Sequence, residues 1–126
     1  MSDLMIIHAK TDGSNTTGTF DLESDAFSNT PNYIRIPKGF KLKIWSMSVD
    51  GAACDVDIKV SRDGGTNYTT VRRIHLESAD NLDIEKKSRP ISIISSKSDN
   101  DYVQFAWIQS TAAETHITMI IEITDN

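Results

Sequence analysis

The chain has 126 residues, a formal net charge of −5 at pH 7 and one cysteine. We expect a single domain spanning 1–126, because this length suffices to bury about two-thirds of the unfolded surface around one core. The negative charge disfavours non-specific binding to nucleic acid or anionic membranes, and a lone cysteine excludes an intrachain disulfide. The sequence lacks the ~20 consecutive apolar residues of a membrane span and the pattern of a signal peptide, which predicts synthesis in the cytoplasm.

Near the N-terminus, one apolar run precedes a long polar stretch. The run at 4–9 has the length and composition of a strand, whereas 10–31 is rich in Asp, Ser, Thr, Asn and Gly. We predict a loop or arm here, with one polar edge strand at 16–22, because loops of this length often serve as contact segments. The large apolar residues of the arm are the expected assembly contacts, with capping of the chain's own core as the alternative: Phe20, Leu22 and Phe27.

The segment 33–49 predicts two further strands. The first, at 33–36, ends at Pro37. In the second, at 41–49, the apolar residues change parity after Ile44. Since side chains alternate strictly between the two faces of a regular strand, this change predicts a β-bulge.

The clearest secondary-structure signal is a hairpin across 54–76. Three apolar residues alternate with polar ones in its first strand, as in a strand with one buried face: Val56, Ile58 and Val60. The next residues, 61–65, read SRDGG, and the two glycines supply the positive φ that a tight turn requires. A change of parity at 71–74 predicts a second bulge in the returning strand.

The C-terminal half alternates strand signals with polar interruptions. We predict a short strand or turn at 82–84, a charged loop at 85–88, a strand at 91–94, a loop at 95–100, and strands at 102–109 and 116–124. The last two strands are the most apolar, which predicts central positions in their sheets.

The pattern as a whole predicts an all-β fold. About eight to ten short strands are separated by turn signals, and the ~3.6-residue period of an amphipathic helix is absent. Antiparallel strands in this number fit a two-sheet β-sandwich, with a jelly roll as the first choice. An immunoglobulin-like sandwich is the alternative, although the Cys…Trp…Cys core of that fold is missing.

No complete catalytic or metal-binding set is visible. His8, His75 and His116 fall in three different predicted strands without a His-x-His pair, so no metal site is predicted. Cys54 has no base near it in sequence and is expected to be a small buried residue. We therefore expect no enzyme activity and no cofactor, while the acidic turn at 99–101 leaves weak calcium binding as an alternative.

Aromatic residues are the other candidates for binding. Five of them could together provide a platform on which sugar rings stack: Tyr33, Trp45, Tyr68, Tyr102 and Trp107. Trp107 shares its parity with Phe105, which favours core packing for that residue. The basic residues at 72–73 and 86–89 have no interleaved aromatic residues, which argues against a site for single-stranded nucleic acid.

The DGGTNYT turn, within a short chain whose strands are rich in Ser, Thr and Asn, resembles the small β-sandwich structural proteins of viruses. The groups concerned are tailed-phage head-decoration proteins and single jelly-roll capsid proteins. The resemblance implies a non-enzymatic virion component that forms homo-oligomers or decorates a capsid or another protein lattice, and it assigns no functional residue. The alternative function is a carbohydrate-binding β-sandwich that uses exposed aromatic residues and calcium.

Overall fold

The structure, a computed structural model, describes residues 2–24, 29–77, 79–95 and 101–125. These residues form nine strands and no helix, so the described part of the chain contains no helix that could cross a membrane. The strands are β1 Ser2–Lys10, β2 Thr17–Thr19, β3 Ile34–Ile36, β4 Phe40–Gly51, β5 Cys54–Ser61, β6 Thr69–Leu76, β7 Ala79–Ser95, β8 Asp101–Ile108 and β9 Thr115–Asp125.

The strands form two antiparallel sheets. Sheet A has four strands in the order β1-β9-β4-β7, and sheet B has the order β2-β8-β5-β6, with β3 also paired to β8. β2 pairs with the C-terminal part of β8 and β3 with its N-terminal part. The chain thus passes repeatedly from one sheet to the other in the strand order of a jelly roll. The predicted all-β two-sheet sandwich is confirmed.

The core lies between the two sheets, because alternate side chains of each strand point toward the opposite sheet. The largest fully buried side chains come from both sheets and from the segment after β2: Ile7, Phe20, Leu22, Ile36, Leu42, Ile44, Met47, Ile58, Leu76, Phe105, Ile117 and Met119. The two most apolar strands, β8 and β9, each lie between two other strands. Their predicted central positions are confirmed.

The predicted hairpin is present as β5 and β6. Its three alternating apolar residues, Val56, Ile58 and Val60, are buried as expected. In the turn, Asp63 Oδ1 accepts a hydrogen bond from the backbone N–H of Asn67 at 2.9 Å, and that bond is the main reason why the pKa of Asp63 falls to about 2. The carboxylate therefore fixes the turn over the whole ordinary pH range.

Two glycines of this turn allow a prediction about stability. Gly64 and Gly65 have φ angles of 76° and 92°, so a valine at either costs about 1–2 kcal/mol of backbone strain. A Cβ at Gly65 would also lie 3.2 Å from the ring of Tyr102, whereas nothing lies within 4 Å of one at Gly64. We therefore expect Gly65→Val to lower the melting temperature more than Gly64→Val. Circular dichroism measures both transitions, and equal melting temperatures would contradict the role given to the Tyr102 contact.

Both predicted bulges are present. In β4 the register shifts between Ile44 and Ser46, which leaves Trp45 on the surface of sheet A. In the hairpin the register shifts between Ile58 and Lys59, and Val71 is the extra, exposed residue of β6. The changes of parity in the sequence therefore marked real irregularities in the ladders.

The predicted charged loop at 85–88 is wrong. β7 runs without interruption from Ala79 to Ser95, and Glu85 and Lys86 pair with Met47 and Ser46 of β4. β4 is 12 residues long, and the N–H and C=O groups along its edge need hydrogen-bond partners. Pairing with these groups outweighs the low strand propensity of the charged residues at 85–88 of β7.

The predicted assembly contacts of the arm are corrected for two residues. Phe20 and Leu22 have no exposed surface and belong to the chain's own core, which was the alternative interpretation. The backbone holds them there, because Phe20 N–H donates to the carbonyl of Phe105 at 2.9 Å. Side chains without exposed surface cannot contact another subunit. The third predicted contact, Phe27, lies outside the described residues.

Candidate functional site

The outer face of sheet B carries a group of polar side chains from three neighbouring strands. Since Val56, Ile58 and Val60 point inward, Asp57 and Lys59 of β5 point outward. The same alternation places Gln104, Ala106 and Ile108 of β8 on this face, and Thr17 and Thr19 of β2 lie opposite two of them. The hydrogen-bond register therefore collects these residues from three neighbouring strands.

A groove of about 260 Å³ crosses this face between β2, β8 and β5. We name it the sheet B groove and define it by its lining residues: Thr17, Gly18, Thr19, Asp57, Lys59, Ala106, Trp107 and Ile108. Ala106 has no side chain beyond Cβ, which leaves room between the larger outward-facing residues. The groove is open and shallow, and its polar groups are a carboxylate, an amine and two hydroxyls.

Asp57 is fixed by an ion pair with Arg73 of β6. Asp57 Oδ1 accepts from Arg73 Nε at 2.6 Å, and Oδ2 accepts from Nη2 at 2.9 Å. Hydrogen bonding to Arg73 lowers the pKa of Asp57, so the carboxyl stays ionised at neutral pH. Asp57 is buried although it faces outward, while more than half of the Arg73 side chain is exposed. Asp57 lines the groove, and Arg73 of the neighbouring strand fixes the orientation of its carboxylate.

One row further along the hairpin lies a second charged group. His75 contacts Asp55 through Nδ1, and its Nε2 lies 2.7 Å from Glu77 Oε1. The hydrogen bond to Asp55, then that to Glu77, raises the pKa of His75, because both carboxylates favour the imidazolium. A cavity of about 300 Å³ adjoins this group and reaches Cys54.

Cys54 has the buried position that the sequence predicted. Only 1% of its surface is exposed, and burial raises the pKa of its thiol to about 11. A thiol with this pKa is almost entirely protonated at neutral pH, so Cys54 is not an activated nucleophile.

Three of the five predicted aromatic residues come together at the other end of the same face. The rings of Tyr33 and Tyr102 are stacked, with centroids 4.7 Å apart and planes 6° from parallel. Tyr68 is close to them: burial is the main cause of its raised pKa, and Tyr102 and Tyr33 contribute next. Tyr102 follows the outward parity of Ala106 on β8, so the two Cα positions are about 13 Å apart.

The two tryptophans lie elsewhere. Trp107 is buried, packs against Phe20 with centroids 5.2 Å apart, and donates from Nε1 to the carbonyl of Asn15 at 3.2 Å. The core position predicted for it is confirmed. Trp45 lies on the outer face of sheet A, where its Nε1 donates to Glu122 Oε1 at 3.1 Å. The predicted platform thus reduces to the three tyrosines.

No family model matches the sequence, and no curated protein matches it. Among solved structures, the chain is similar to TmCBM61 in complex with β-1,4-galactotriose, with a TM-score of 0.42 and 13% sequence identity. The match covers 88% of this chain and 66% of that one, so this chain spans slightly less than two-thirds of the similar protein's length. At this distance the likeness assigns no function.

The three histidines are not brought together. His8 and His116 lie in sheet A and His75 in sheet B, and the described residues contain no group of three or more His, Cys, Asp and Glu that could hold a metal ion. Asp101 of the acidic turn binds Arg62 at 2.6 Å, and the two residues before it lie outside the described ranges.

A chelator is therefore expected to leave the melting temperature unchanged, because ligand binding stabilises a fold only where the folded state holds the ligand. Differential scanning calorimetry with and without EDTA tests this. A fall of several degrees that calcium or zinc reverses would overturn the prediction.

The residues of the sheet B groove were not identified from the sequence. The basic residues 72–73 were considered only as a site for single-stranded nucleic acid. The pairing of charges across the hairpin was nevertheless a usable signal, because opposite charges on facing strands stabilise each other. In the structure Asp55 lies opposite His75, and Asp57 lies opposite Arg73. The bulge at Val71 shifts that register, and its position decides which arginine faces Asp57.

Proposed function

We propose that this chain is a non-enzymatic carbohydrate-binding β-sandwich whose site is the outer face of sheet B. The observation that supports the proposal is the fixed Asp57–Arg73 pair at the sheet B groove, with stacked tyrosines at the far end of the same face. Neighbouring hydroxyls of a sugar ring match planar, bidentate groups, and the apolar face of the ring packs on aromatic side chains. The site therefore offers both kinds of contact that an oligosaccharide requires.

Preorganisation makes this pair suitable for binding. Arg73 uses Nε and Nη2 for Asp57, so the guanidinium retains N–H donors on its exposed side. Asp57 is held in place before any ligand arrives, which reduces the entropy lost on binding. Lys59 and Thr19 flank the pair at the groove and add an amine and a hydroxyl.

The same features argue against glycoside hydrolysis. A glycosidase needs one carboxylic acid with a raised pKa to protonate the leaving oxygen, together with a second carboxylate across the bond. Arg73 lowers the pKa of Asp57, which is the opposite of what a general acid requires. The groove-lining residues include no second carboxylate. Binding without catalysis is the chemistry that this arrangement supports.

The experiment is a titration with a panel of neutral and acidic oligosaccharides, followed by calorimetry on any that bind. We expect Asp57→Asn and Arg73→Leu each to weaken binding at least about tenfold, since a charge-assisted hydrogen bond contributes ~1.5–3 kcal/mol. Asp50→Asn is the matched control, because Asp50 is exposed on β4 of sheet A. Far-ultraviolet circular dichroism checks that each variant is folded. No binding across the panel, or equal affinity of Asp57→Asn and the parent, would overturn the proposal.

A second candidate function is a structural role, as a virion component or in another protein lattice. Exposed apolar side chains on the outer face of sheet A favour it, namely Leu4, Ile6 and Trp45. Clusters of exposed apolar residues typically mark protein interfaces. Negative-stain imaging and mass measurement at high protein concentration test this role, and a monomer that binds no lattice would exclude it.

A further inference from the structure

The outer edge of β1 is the starting point for a further inference. β1 pairs with β9 along its whole length, from Ser2 opposite Thr124 to Lys10 opposite His116. On its other side, His8 exchanges two backbone hydrogen bonds with Glu23, at 2.9 and 2.8 Å. In an antiparallel strand, alternate residues direct both N–H and C=O to the same side. Since His8 points away from β9, so do Ile6, Leu4 and Ser2.

Leu4 and Ile6 are the part of this edge that no other described residue pairs with. Within the described residues, their outward N–H and C=O groups have no backbone partner. Their side chains lie on the outer face of sheet A and are 67% and 56% exposed. Natural edge strands are usually protected by proline, lysine or a bulge, and the β1 register between Ser2 and His8 is regular and contains none of these.

We propose that β1 pairs antiparallel with β1 of a second copy of this chain, so that sheet A continues across a two-fold axis at Leu4. Glu23 occupies the outward groups of His8, which limits the available residues to Ser2, Leu4 and Ile6. In the register with Leu4 opposite Leu4 of the partner subunit, Ser2 lies opposite Ile6 of the partner subunit. The outward N–H and C=O groups of all three residues are then paired. A register centred on Ile6 would instead require the groups of His8 that Glu23 holds.

A second copy fits this edge for two reasons. A two-fold axis presents the same surface to itself, so the outward donors and acceptors of β1 meet their complements without any further adaptation. The register also places no like charges opposite each other, because Asp3 falls opposite an uncharged Met5 position. Leu4 packs on its symmetry mate, and Ile6 extends the apolar surface toward Ile120, with which it pairs on β9.

The net charge of −5 sets the expected salt dependence. Two copies repel each other, and this repulsion is screened as the ionic strength rises. Backbone hydrogen bonds and apolar contacts are not weakened in the same way. We therefore expect association to strengthen with salt. The interface is that of a single strand edge, which places the dimer among weak, concentration-dependent ones.

Sedimentation equilibrium on the intact chain is the first test. The mass is expected to rise from 14.0 kDa toward twice that value between micromolar and millimolar concentration, at lower concentration when salt is added. Ile6→Pro is expected to abolish the rise, because it removes a backbone N–H that pairs with the second copy. The fold is expected to remain intact, because β1 directs this N–H away from β9. Thermal melting checks the fold of this variant. A monomer at every concentration and salt level would overturn the proposal.

Cross-linking tests the register itself. Residues directly opposite in a hydrogen-bonded pair have Cα atoms about 5.5 Å apart, which is within disulfide range. Leu4→Cys is therefore expected to form an intermolecular disulfide rapidly on oxidation, while His8→Cys, the matched control, is not. The native Cys54 is buried and does not interfere. Equal rates for the two variants, or a dimer that persists in Ile6→Pro, would overturn the proposed pairing. Either outcome leaves carbohydrate binding on sheet B unaffected.

Discussion

Gly18→Ala is expected to lower the free energy of unfolding by about 3 kcal/mol, the upper end for overpacked cores. A Cβ at Gly18 would lie 2.3 Å from ring carbons Cη2 and Cζ2 of Trp107. The indole cannot withdraw easily, because it packs against Phe20 and donates a hydrogen bond to the carbonyl of Asn15. Chemical denaturation of the variant and the parent measures the difference.

A double variant separates this clash from a general effect of alanine in β2. Trp107→Leu removes the ring that a Cβ at position 18 would meet, so adding Gly18→Ala to it should cost little. Gly64→Ala serves as the control, since only backbone strain applies where nothing lies within 4 Å. If Gly18→Ala costs as much in the Trp107→Leu background as it does beside the native indole, the close approach is not the cause.

Thr11→Val is expected to cost about 2–3 kcal/mol. Thr11 has 1% of its surface exposed, and its hydroxyl donates to the carbonyl of Ala113 at 2.6 Å and accepts from the N–H of Thr115 at 3.0 Å. Valine has nearly the same shape but leaves both backbone groups without these partners, and unsatisfied buried groups cost ~1–3 kcal/mol each.

The matched control is Thr69→Val, at an exposed position of β6 where the hydroxyl is solvated. We expect it to change the unfolding free energy by no more than about 0.5 kcal/mol. Equal losses for the two threonine variants would show that the hydroxyl of Thr11 contributes nothing specific. Urea denaturation curves provide both values.

The sequence predicted the strands well wherever alternation was strong. In β5, β8 and β9 one buried residue follows each outward one, and both bulges were visible as parity changes. β7 was predicted as a short strand or turn at 82–84 and a strand at 91–94 with a charged loop between them, whereas backbone pairing with β4 makes it one continuous strand. The local composition of β7 does not show that a strand distant in sequence pairs with it.

The arm was misinterpreted for a related reason. A polar stretch with few apolar residues was expected to have little core of its own, yet Phe20 and Leu22 are fully buried and Thr11 is tied to the loop before β9. These contacts join residues far apart in sequence, so no local pattern predicts them. The tyrosine cluster was foreseen as a set of candidates, but only the packing of the turn against β8 decided which three meet.

The contrasting positions of the two tryptophans give the protein two separate fluorescent reporters. Trp107 is enclosed by the core and bonded to a carbonyl, so its emission should be blue-shifted and resistant to aqueous quenchers. Trp45 is 39% exposed beside the carboxylate of Glu122, so its emission should be red-shifted and accessible to quenchers. One chain therefore reports optically on the sandwich interior and, independently, on the open surface of sheet A.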